Sequence, residues 1–112
     1  MTKTHDKADK SRFTALQAVG CVCCFLRSGK WGTPSDVHHL LSGGRRRGHQ
    51  FTIPLCEWHH RAVPRVSYTP EWCGLHLGPS LAKGSRAFHK MFGSDNDLLI
   101  ITNQKLERIH EL

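Results

Sequence analysis

The sequence predicts an α+β fold, a small zinc-stabilised domain with a strand-turn-strand-helix unit at its centre and short helices around it. Three observations predict it. Two segments, Asp36-Val37-His38-His39-Leu40-Leu41 and Pro54-Leu55-Cys56-Glu57-Trp58-His59-His60-Arg61, each carry adjacent histidines. A connector rich in glycine and arginine, Gly43-Gly44-Arg45-Arg46-Arg47-Gly48, separates them as a turn separates two strands. Two ligand pairs with two-residue gaps, Cys21/Cys24 and Cys56/His59, stand far apart in the chain, the usual pattern of a treble-clef or zinc-ribbon site.

Size and charge narrow the reading. The 112 residues make one small domain, and a hydrophobic fraction of 38% leaves a modest core that a metal can supplement. The formal charge of +7 favours a polyanionic partner, nucleic acid before a membrane surface, over an acidic small substrate. No apolar run is long enough to span a bilayer, and the polar, Lys-rich start lacks the apolar stretch of a signal peptide, so the cytosol is the expected compartment. Cysteines there point to metal or catalysis, and five is an odd number for a closed disulfide framework.

In chain order, residues 1–10 read as a polar, basic, flexible tail and residues 11–112 as the single domain. Ser11 caps a helix to about Ala18. Cys21 and Cys24 frame a knuckle, with Cys23 as a spare or the pair shifted by one residue. Residues 25–32 follow as a turn or short strand. Val37 to Leu41 and Gln50 to Leu55 are the two strands, with Ser42 to His49 as a loop and Pro54 ending the pairing. Glu57 to about Val63 is a helix that Pro64 stops. Arg65 to Gly78 reads as loop, Ser80 to Phe92 as a helix weakened by Gly84, Leu98 to Ile101 as an apolar run, and Lys105 to Leu112 as a helix.

The residue types suggest two ions. Three thiolates and an imidazole suit structural zinc. The remaining His38, His39 and His60 are free for a second site, where one imidazole ligates a cation and another, titrating near neutrality, deprotonates water. His59 and His60 point about 100° apart on a helix, so one can serve each ion. Such a site hydrolyses phosphodiesters, and Arg45, Arg46 and Arg47, with Arg61, can grip flanking phosphates. Phosphate contacts give affinity without sequence specificity.

These motifs, Cys-x-x-Cys, Asp-Val-His-His and Pro-Leu-Cys-x-x-His-His, resemble the HNH nucleases of the ββα-metal superfamily. Gly43 to His49, Leu77-Gly78-Pro79-Ser80-Leu81-Ala82 and Phe88-His89-Lys90-Met91-Phe92-Gly93-Ser94 are similar to the Ref family of phage and prophage recombination-enhancement proteins, RecA-dependent nucleases. The resemblance runs from about Arg12 to Leu106. It implies a treble-clef-like ββα-metal core, with Cys21, Cys24, Cys56 and His59 on structural Zn²⁺. His39 would be the general base, and His38 and His60 ligands of a catalytic Mg²⁺ or Mn²⁺, or of Zn²⁺ in crystals. DNA and a RecA filament would be the partners, in the cytoplasm of a bacterial host. The middle Asn of many such motifs is missing near Gln50 and Phe51, so Gln50 or a carbonyl would orient the base. A further ligand position is Pro64, leaving His89, before His76 or water, to complete the catalytic set. The competing reading is a zinc-stabilised DNA-binding module with no catalysis. Magnesium-dependent nicking, lost in His39→Ala, separates the two.

Overall fold

The computed structural model describes residues 6–110. Helix α1, Lys7–Val19, starts earlier than expected because Asp6 and Asp9 form a reciprocal capping box, with Asp9 N–H donating to Asp6 Oδ1 at 2.8 Å. That takes residues 7–10 out of the predicted tail; residues 1–5 lie outside the described residues. Gly20 ends the helix at φ 90°, pressed against the next loop. There Cys21 N–H donates to Thr33 O at 2.9 Å, and Gly32 N–H to Val19 O at 2.8 Å.

Helix α2, Val22–Ser28, replaces the expected turn or strand. Cys21 is its N-cap, its Sγ accepting from Cys24 N–H, so the knuckle is the first turn of a helix. Strands β1, Asp36–His39, and β4, Thr52–Leu55, pair antiparallel with Asp36 opposite Leu55 and His39 opposite Thr52. Pro54 does not end the pairing. It lies opposite Val37 inside the ladder, tolerated because a strand in a two-stranded sheet has an open edge. All of β4 is buried, contacted by α1, α2 and α6, which explains its unbroken Thr-Ile-Pro-Leu composition. The predicted loop between the strands contains a small hairpin, β2 Leu41–Ser42 and β3 Arg45–Arg46, turned by Gly43 and Gly44 at φ 59° and 80°.

Helix α3, Glu57–Arg61, leaves β4 directly. It closes at Ala62, in the left-handed region at φ 58°, before Pro64 is reached. Helix α4, Pro70–Leu77, lies in the predicted loop, started by the Thr69 cap and by proline in its first turn. Gly84 splits the next predicted helix into a 3₁₀ turn, Leu81–Lys83, and α5, Ser85–Phe92. The last two segments are one helix, α6, Asp95–His110. Among the described residues no helix is long and apolar enough to cross a membrane.

The main core gathers the cysteines with Leu40, Ile53, Leu55, Trp58, Phe88, Phe92 and Leu98, and a smaller cluster of Leu16, Val19 and Leu106 seals α1 against α6. Arg12 braces both from within: it donates to Thr52 Oγ1 at 2.8 Å, to Thr52 O at 2.6 Å and to Asn103 Oδ1 at 2.9 Å. A Cβ at position 20 would stand 2.7 Å from Thr33 N and O, and backbone cannot yield as a side-chain tip can. Gly20→Ala therefore meets both a collision and an unfavourable φ, and should cost about 1–3 kcal/mol. A fall in the urea midpoint with an unchanged slope would record it.

Candidate functional site

β4 runs into α3 through Cys56, and α2 begins beside them at Cys21. Four side chains meet at that junction. The ligand atoms of Cys21, Cys24, Cys56 and His59 all lie within 4.8 Å of one another, and all four residues are buried. His59 Nδ1 stands 3.5, 3.6 and 3.2 Å from the sulfurs of Cys21, Cys24 and Cys56, and Cys24 and Cys56 sulfurs are 3.7 Å apart. A tetrahedral zinc with bonds of about 2.3 Å to sulfur and about 2.0–2.1 Å to nitrogen requires separations of roughly 3.5–3.8 Å. The donors thus fit a structural metal such as zinc. His59 Nε2 meets Leu77 O at 2.7 Å, the outer contact that fixes a ligand imidazole and leaves Nδ1 for the ion. Arg65 donates to Cys24 Sγ at 3.2 Å.

The protonation of these donors tells the same story. Burial pushes the Cys21 thiol up, and the neighbouring Cys21 thiol pushes Cys24 up. Cys56 is driven down, chiefly by hydrogen bonds from Cys21 and Cys24. Burial opposes charge on His59, but Cys24 and Cys56 outweigh it and raise the imidazole to about 9. A bound cation would take the place of the protons on these donors.

Each histidine doublet divides. On α3, His59 turns into the cluster while His60 turns to β1, where its Nε2 lies 3.3 Å from His38 Nδ1. Burial, then the charge of His60, lowers His38 to about 4, so it is neutral at physiological pH and suited to a cation. His60 Nδ1 is buried without a hydrogen bond, 3.7 Å from Asp36 Oδ2.

On β1, adjacent side chains alternate, so His39 leaves the face of His38. Its Nε2 lies 3.1 Å from His49 Nδ1, and its ring meets Phe13 edge-on. The two doublets therefore converge through His38 and His60, while the His39 ring, at the last residue of β1, turns to His49. Gln50, the expected partner of the base, instead donates to Asp9 Oδ1 at 2.8 Å. His49 went unrecognised in the sequence, although it stands immediately before Gln50 in the same loop.

The remaining residues fall into two groups. Arg45 and Arg46 are exposed on β3. Arg47 is tied down, donating to Leu41 O at 3.1 Å and Asn96 Oδ1 at 2.7 Å, and Arg61 pairs with Asp36 at 3.1 Å and Glu57 at 3.6 Å. Neither is a free phosphate clamp. His89 is engaged at both ring nitrogens, with Gly93 O at 2.9 Å and Asp95 Oδ1 at 3.4 Å, yet both His89 and Asp95 act on the charge of His38. His76 belongs to the zinc side, sharing a recess with His59 and Cys24.

Fold and site define a small α+β domain built around a cluster of three cysteines and one histidine that could hold a metal ion, with a histidine cleft against it. The chain belongs to the family described as recombination enhancement, RecA-dependent nuclease, whose model matches residues 6–107. A comparison with curated proteins finds no match.

The ligand set separates Cys23 from its neighbours. Cys24→Ala should lose the bound zinc and much of the thermal stability, whereas Cys23→Ala should keep one zinc per chain. Elemental analysis beside thermal melting checks both.

Proposed function

We propose that the protein is a metal-dependent DNA endonuclease of the HNH, ββα-metal type, cutting phosphodiester bonds in DNA engaged by a RecA filament. The approach of His38 to His60 carries the reading, because two imidazoles 3.3 Å apart, one of them neutral through burial, form half of a cation site at the end of the strand pair. His89, whose charge acts on His38, would complete the set through the Nε2 that faces Asp95, with water in the remaining positions. A divalent cation held there by His38 and His60 would stabilise charge on the scissile phosphate and on the leaving oxygen.

The chain's own groups perform the remaining steps. His39 is the last residue of β1, where strict strand alternation relaxes toward the hairpin, and it takes a proton from water as the water oxygen bonds to phosphorus. The phosphorus–oxygen bond to the leaving sugar breaks, and that oxygen recovers a proton from solvent. His49 positions the base: its Nδ1 stands 3.1 Å from His39 Nε2 and holds the His39 ring in place. Arg45 and Arg46, exposed on the hairpin, grip neighbouring phosphates.

A second reading, a DNA-binding module without catalysis, is favoured by one observation: among the described residues the compact ligand group is the zinc-type cluster alone. Incubation with plasmid, and with RecA-coated single strand plus homologous duplex, each with and without magnesium, separates them. Cutting confined to the RecA mixture with magnesium is the expected result; binding with no cutting in any mixture would establish the module instead. His39→Ala should lower cutting by about 100-fold or more while zinc content and DNA affinity stay unchanged. His49→Ala should lower kcat more than KM, and His49→Asn should restore part of it. Equal losses of melting temperature and activity in both His49 variants would reduce that residue to a structural role.

A further inference from the structure

One face of the molecule has features that neither the metal centre nor the histidine cleft uses. Tyr68, Trp72 and His76 recur every four residues through the start and length of α4, and their rings form a stack. Tyr68 and Trp72 lie 4.0 Å apart between centroids with planes 18° apart, and Trp72 and His76 lie 4.5 Å apart with planes 32° apart. Trp72 is half-buried against the core, but Tyr68 is 48% exposed and His76 is exposed. Burial accounts for the tryptophan and not for the rings on either side of it.

Cations border the stack. Arg27, at the end of α2, donates to His76 O at 3.0 Å and keeps further N–H groups toward solvent. Arg65 points at Cys24 from the segment before α4. Arg27, Arg65 and His76 line a recess of about 190 Å³ with Ser28 and Thr33, and Lys30 is exposed just beyond α2. Glu71 is an exposed acid on the same helix.

We propose that this face is a second nucleic-acid site, a stacking platform for single strands. Unpaired bases extend the Tyr68–Trp72–His76 stack at its open ends, and the backbone phosphates follow Arg27 and Arg65. A duplex cannot use it in the same way, because its bases are already stacked on one another. The chemistry is sequence-tolerant, since every base offers a π face and every nucleotide a phosphate. The platform lies on the zinc side of the fold, lined in part by Cys24 and His59, whereas the hairpin arginines and the His38–His60 pair lie elsewhere.

Fluorescence anisotropy of a labelled oligothymidylate, titrated with the full chain in EDTA-free buffer without added divalent cation, tests this. Cutting does not enter that measurement, so its failure and the failure of the nuclease reading are separate results. Tyr68→Leu should weaken single-strand binding by roughly tenfold, and Tyr68→Phe should stay within about twofold of the parent. Arg27→Gln should lower the slope of log affinity against log salt by about 0.7. Binding to a duplex of equal length should change little in any of the three. Zinc content and circular dichroism confirm folding, and if Tyr68→Leu loses its zinc, Tyr68→Phe and the Arg27→Gln slope decide. Unchanged oligothymidylate binding in Tyr68→Leu and Arg27→Gln, or equal losses on single strand and duplex, would overturn the platform.

Discussion

The cluster of Cys21, Cys24, Cys56 and His59 is the constraint on which the rest of the structure depends. It joins the first turn of α2 to the β4–α3 junction, segments more than 30 residues apart in the chain. A core of this size contributes limited stability, and five of its buried side chains are thiols, which are small. Ordering α2 against β4 therefore rests on a bond network that hydrophobic contact alone supplies only in part. The cluster also sets the direction of α3. With His59 committed to the sulfurs and to Leu77 O, the helix cannot rotate, and His60 has to face β1.

Two geometric periods divide the histidines from there. A helix turns about 100° per residue, which sends His59 inward and His60 across to His38. A strand turns about 180°, which sends His38 to His60 and His39 to His49. One doublet on each type of element gives three environments from four residues: a sulfur-rich cluster, a paired cleft, and a ring held by another imidazole and an aromatic edge. Electrostatics then distinguishes them. His59 is raised by thiol partners, while His38 is lowered by burial and by His60.

The parts legible in the sequence were those written in local chemistry. The two-residue gaps named the ligands, and the glycine-rich connector between apolar segments named the antiparallel pair. Tertiary context decided the rest. Periodicity missed α4, although Thr69, Pro70 and Glu71 form an ordinary helix start, because the tryptophan and glycine within it blur the apolar pattern. Leu98 to Ile101 looked like an isolated apolar run because α6 is apolar on several sides; Leu98, Thr102 and Leu106 are its buried line. Pro54 looked like a terminator because sequence does not reveal which edge of a strand is open. Partners 10 and 49 residues away, His49 for His39 and Asn96 for Arg47, are invisible to any local rule.

The arginine run shows how folding divides a charge block that composition treats as uniform. Arg47 ties the two-stranded hairpin to α6 through Asn96, a tertiary contact that so short a hairpin lacks by itself. Arg45 and Arg46, by contrast, extend into solvent from β3 of that hairpin. Arg61 is similarly spent on Asp36, the carboxylate that faces His60, and so acts on the cleft through that pair rather than on a ligand directly. Arg27 and Arg65 are divided in the same way, each giving one hydrogen bond to the fold, to His76 O and to Cys24 Sγ, while lining a recess open to solvent.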